Sequence, residues 1–106
     1  MIDAGSINEI KPGKMKRINA SDGKRILVCN VAGEFFAVDD MCTHEDASLY
    51  LGCLKGDEVQ GSLHGGRFNV KTGAATVEPA ELPLQTYVVK IDDNLIYVDD
   101  QTSTKG

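Results

Sequence analysis

Three side chains with metal-binding chemistry fall into two short motifs. Cys42-Thr43-His44 sets a thiol and an imidazole two residues apart, and Ser62-Leu63-His64-Gly65-Gly66 carries the other of the chain's two histidines. Thiolate and imidazole are both good ligands for iron and zinc. Cys42, His44 and His64 therefore make a candidate three-donor set with an open position, chemically fit for Fe²⁺ or Zn²⁺. Gly65 and Gly66 give the backbone room to wrap close to a bound group. Three residues before His64, where a C-x-x-H pair would supply a second thiolate, stands Gly61, which has no side chain. The three cysteines, Cys29, Cys42 and Cys53, are too few and too odd in number for a disulfide framework.

Short strands separated by turns would have to position these motifs, and the pattern predicts an all-β fold. Strands are expected at Lys14–Ile18, at Arg25–Val31 and Phe35–Val38 as a hairpin about Ala32-Gly33-Glu34, at Glu58–Gln60 and at Arg67–Val70. Lys71-Thr72-Gly73 reads as a turn, and Pro79 and Pro83 break the segment that follows. Gln85–Ile91 and Leu95–Val98 form a second hairpin around Asp92-Asp93-Asn94, with Tyr87, Val89 and Ile91 on one face by the two-residue period. Ala47–Leu51 alone could make a helical turn. Gln101–Gly106 reads as a frayed polar tail. Both metal motifs then sit in loops between strands, where two neighbouring loops can clamp a cofactor. Cys29, inside an apolar run, is expected to be buried and inert. Cys53 is expected to be a small hairpin residue rather than a ligand.

With 106 residues, 42% of them hydrophobic, the chain is expected to form a single domain over residues 1–106, with a modest core to which a bound metal group would add stability. The net charge of −5 argues against nucleic acid or an anionic membrane as partner. No apolar run suggests a signal peptide or membrane span, so the expected location is the cytoplasm. Lys55, Asp57 and Glu58 read as a solvated turn; Glu45 and Asp46, just after His44, as surface charge or an acidic docking patch.

The motifs extend into a wider pattern: Asp40-Met41-Cys42-Thr43-His44, Ala47-Ser48-Leu49, Gly52-x-Leu54-x-Gly56-Asp57, Leu63-His64-Gly65-Gly66-x-Phe68-Asn69, Thr72-Gly73 and Pro83-Leu84. Over nearly its whole length the chain resembles the Rieske-type ferredoxins of bacterial ring-hydroxylating dioxygenases. C-x-H followed some fifteen to seventeen residues later by C-x-x-H is that family's ligand set, and sixteen residues lie between His44 and Gly61. Two thiolates hold one iron of a [2Fe–2S] cluster and two imidazoles hold the other. The resemblance implies stacked antiparallel sheets with two cluster-binding loops at one end. It also implies an electron carrier, not itself an enzyme, that passes single electrons from a flavin reductase to a terminal oxygenase. Gly61 departs from the pattern, and a single Cys→Gly change accounts for it. The iron that should carry two thiolates keeps only Cys42, so the cluster is expected to be absent, partial, or replaced by a single metal on Cys42, His44 and His64.

Two other readings compete. The fold also serves as a cluster-free module in the small subunit of assimilatory nitrite reductase, but such a module has no need of Cys42, His44 and His64. A mononuclear iron or zinc enzyme would need a substrate pocket, and no residues define one.

Overall fold

Ile26, Leu27, Val28 and Cys29 are all fully buried, which a strand achieves only when both of its faces are covered. The computed structural model, which describes residues 1–21, 23–41, 48–61, 66–77 and 83–99 and the backbone of 100–103, shows what covers them. Ile26 and Val28 face one core, with Ala4, Ile10, Ala37, Tyr87, Ile96 and Val98. Leu27 and Cys29 face a second, with Val38, Leu49, Val59, Phe68, Val70 and Leu84. The strand Arg25–Val31 is thus a wall shared by two cores.

The strands among the described residues are β1 (Ile2–Ser6), β2 (Met15–Asn19), β3 (Arg25–Val31), β4 (Glu34–Asp39), β5 (Cys53–Lys55), β6 (Glu58–Gln60), β7 (Arg67–Asn69), β8 (Ala75–Val77), β9 (Thr86–Asp92) and β10 (Leu95–Ser103). A six-stranded sheet runs β1-β10-β9-β4-β3-β2 and a four-stranded sheet runs β5-β6-β7-β8, with every pairing antiparallel. Lys16 on the edge strand β2 donates to the carbonyl of Ala4 on the other edge strand, β1, and to Glu9, each at 2.9 Å. That bond draws the two edges of the larger sheet together and covers them, as edge strands require. Asp93 and Asn94 both hold positive φ (51° and 64°), the geometry of a tight two-residue hairpin turn between β9 and β10. Short 3₁₀ turns occupy Ile7–Glu9 and Leu49–Leu51. Among the described residues no helix is long and apolar enough to cross a membrane.

The all-β expectation holds, and the expected strands appear with ends moved by at most one residue, except the last, expected to end at Val98. The structure corrects the expected frayed tail from Gln101: β10 continues to Ser103, whose register partner is Tyr87 after an irregularity following Asp99. Main-chain pairing with β9, not a pattern of apolar residues, carries it there. Strands β1, β5 and β8 were not anticipated. β1 has one fully buried side chain, Ala4, and a bulge between Asp3 and Gly5, so it shows little alternation. β5 and β8 are three residues each.

Candidate metal centre

The strand β4 ends at Asp39, and the next two residues close a loop. Met41 bridges to Ser48, which brings together the residues that flank the first motif. Asp40 builds the closure. Its backbone carbonyl accepts from Leu49 N at 2.6 Å, its Oδ1 from Tyr50 N at 2.9 Å, and its Oδ2 from the hydroxyl of Ser48. The Asp40 side chain is fully buried, and a buried carboxylate is costly unless paired and hydrogen-bonded. Arg17, on β2, supplies the cation: its Nη1 lies 3.9 Å from Asp40 Oδ2 and donates to Ser48 Oγ at 2.9 Å. The guanidinium also lies over the Tyr50 ring, 5.2 Å from its centroid.

The second loop lies in the β6–β7 hairpin. Val59 pairs with Phe68 and Gln60 with Arg67, and Gly61 N donates to Gly66 O at 2.9 Å. The two loop bases are near one another because residues 48–52 join them. A Cβ added to Gly52 would collide with the Gln60 carbonyl oxygen and lie 3.3 Å from the Gly61 carbonyl carbon, so glycine is required for this close approach. Three residues lie between Ser48 and Gly52, a span of at most roughly 14 Å even if fully extended and less through a 3₁₀ turn.

Cys42, His44 and His64 all lie outside the described residues, as does the expectation that Cys42 and His64 approach within bonding range of one site. What is described is the frame: both motifs sit on loops whose bases adjoin. Glu45 and Asp46 are likewise outside it. Among the described residues no group of three His, Cys, Asp or Glu side chains is placed to hold a metal ion.

The register tests whether another thiol can replace the one missing at position 61. Cys53 is directly opposite Gln60, and Leu54 opposite Val59. Val59 is buried and Leu54 half-buried, while Cys53 is exposed. By the two-residue period, a side chain at position 61 would share the face of Val59, opposite to the Cys53 face. Cys53 therefore points away from the place of the missing ligand. Cys29 is closed off inside the second core, and burial, with the nearby charge of Asp40 adding to it, pushes its thiol up to about 12 from 9.0. A family cluster needs two thiolates and two imidazoles. This chain offers one thiol and two imidazoles at the motif positions, one thiolate short of that set; by donor type alone the three remaining groups suit a single iron or zinc ion.

The raised Cys29 pKa has a measurable consequence. A thiol harder to ionise in the folded state contributes stability in full below the unfolded value of 9.0, and that stability is lost as pH rises toward about 12. At pH 10 the loss relative to pH 7 is expected to be on the order of 1 kcal/mol. Urea unfolding at the two pH values reads it directly. Cys29→Ala should lack this part of the loss; an equal loss in both proteins would refute the assignment.

The sequence named Asp40 and Ser48 only as members of a motif, and it gave Arg17 no role. Arg17 and Ser48 are 31 positions apart, so no local pattern could have joined them.

Comparison with known proteins agrees with this frame. The Rieske [2Fe-2S] domain family matches residues 1–88. The ferredoxin component of biphenyl 2,3-dioxygenase from Rhodococcus jostii (strain RHA1) is 45% identical over 94 residues, spanning 89% of this chain and 87% of the relative. A chain in the complex of reduced oxygenase and oxidized ferredoxin of carbazole 1,9a-dioxygenase superposes with a TM-score of 0.89 at 34% identity, covering 92% of this chain and 90% of that one. The ferredoxin of Sphingomonas yanoikuyae B1 gives 0.88 at 32% identity, covering 93% and 97%. Two adjoining loops on a double-sheet frame, the C-x-H and x-x-x-H motifs they carry, and these matches lead to one conclusion: the chain belongs to the Rieske [2Fe-2S] domain family.

Proposed function

We propose that this protein is the ferredoxin-type component of a ring-hydroxylating oxygenase system, a single domain over residues 1–106 that works in the cytoplasm. In this reading it docks with a flavin reductase and a terminal oxygenase, and its metal centre is altered at Gly61. The observation that carries the proposal is the 45% identity to a biphenyl 2,3-dioxygenase ferredoxin component across most of both chains. The site residues would be Cys42, His44 and His64. The chain catalyses no reaction itself in this role; it binds its partners and presents the metal loops to them. The net charge of −5 agrees with protein partners rather than nucleic acid or anionic membrane.

Gly61 favours a second reading: a Rieske-fold module without the standard cluster, either metal-free or holding one iron or zinc ion on the three remaining donors. A reconstituted hydroxylation assay separates the two. The reductase and terminal oxygenase of the biphenyl 2,3-dioxygenase system are combined with this chain or with its Gly61→Cys variant. Turnover above background with the unaltered chain, and more with the variant, is the expected result; turnover with the variant alone would favour the module reading. No turnover with either would sink the carrier reading and leave the module reading standing.

A further inference from the structure

The Asp40 network at the base of the first loop does more than satisfy a buried charge. An apolar side chain in its place would avoid the desolvation cost, and Leu49 already anchors the segment as a buried member of the second core. What the carboxylate adds is direction. Its two oxygens accept from the Ser48 hydroxyl and the Tyr50 amide, while the Asp40 backbone carbonyl accepts from the Leu49 amide between them. The Asp40 amide is itself fixed to the Arg25 carbonyl of β3 at 3.1 Å. Both ends of the 42–47 segment are thereby held to one point of the larger sheet. Arg17 reaches the same point from β2, bonding Ser48 and stacking on Tyr50.

We infer that Arg17 and Asp40 are positioning residues for the metal loop, setting how tightly Cys42 and His44 bind a metal by fixing the loop's ends before the metal arrives. A pre-ordered loop loses less conformational freedom on binding, and groups that orient metal ligands typically change affinity by roughly ten- to hundredfold when removed. The inference rests on the reading that Cys42, His44 and His64 hold a metal. It is specific to Arg17, whose side chain is one-third exposed and can be replaced without emptying the core.

The test is a Co²⁺ titration, followed by visible absorption, of the unaltered chain, Arg17→Met and Arg17→Lys, with thermal unfolding of each in the absence of metal. The expected result is a Co²⁺ affinity weaker by roughly ten- to hundredfold in Arg17→Met, with a changed absorption envelope. Arg17→Lys, which keeps a charged donor, should recover most of the loss. Equal affinity and an equal spectrum in all three, with only the unfolding temperature lowered in Arg17→Met, would show that the network serves the fold alone and would overturn the inference. If no protein in the set binds Co²⁺, the metal-site reading falls and this inference falls with it. Should Arg17→Met fail to fold, Asp40→Asn takes its place under the same criteria.

Discussion

Gly61→Cys should convert this chain into one that assembles a Rieske centre. The substitution adds a soft thiolate on the same face as Val59, at the hairpin closure where Gly61 bonds Gly66. All other family donors, Cys42, His44 and His64, are already in register in the sequence. Two thiolates and two imidazoles then complete the set for two irons. After anaerobic reconstitution with iron and sulfide, the variant is expected to be coloured, to contain two irons and two sulfides per chain as the [2Fe–2S] formula requires, and to unfold at a higher temperature than the unaltered chain, because a group bound only by the folded state stabilises it. Absorption and electron paramagnetic resonance decide. A variant that folds but stays colourless would show that position 61 is not the missing ligand.

Phe68→Ala should be among the most damaging core substitutions. Phe68 has no exposed surface and lies in the core with Leu27, Val38, Leu49 and Val59. Truncating a buried phenylalanine costs about 3–5 kcal/mol, through lost transfer energy and the cavity left behind. Against a total stability of roughly 5–15 kcal/mol for a domain, that is a large fraction. The damage should also reach the site. Phe68 is the register partner of Val59, two residues before Gly61, so the second loop loses its support. Urea unfolding of the two proteins measures the loss, and a difference below about 1 kcal/mol would contradict the place given to Phe68 in the core.

The legible part of the fold was the part where side chains carry the pattern. The β3–β4 hairpin could be read because Ile26 to Cys29 are apolar on both faces and Ala32-Gly33 turns the chain. The β9–β10 hairpin could be read because Asp93-Asn94 tolerates the left-handed backbone that both residues adopt. The strands the pattern does not reveal are short or bury few side chains: β1 buries only Ala4 completely, and β5 and β8 are three residues each. The end of β10 carries a polar sequence, Gln101-Thr102-Ser103, and its pairing to β9 leaves no apolar signature. The site divides in the same way. Its donors were visible because thiol and imidazole are scarce side chains set at telling intervals. The exclusion of Cys53 needed the register opposite Gln60, and the clamp on the first loop needed Arg17 to be brought from β2 to Asp40, a relation that exists only once the sheet has formed.

The decisive measurement is the iron, acid-labile sulfide and zinc content of the freshly purified, unaltered chain, beside Cys53→Ser. With a hydrogen at position 61 and Cys53 facing the other way, a substoichiometric cluster, a metal-free site or a single bound metal is expected, identical in the two proteins. Two irons and two sulfides per chain, the complement of a complete cluster, stable in air, would show that glycine at position 61 is no obstacle and that no ligand is missing.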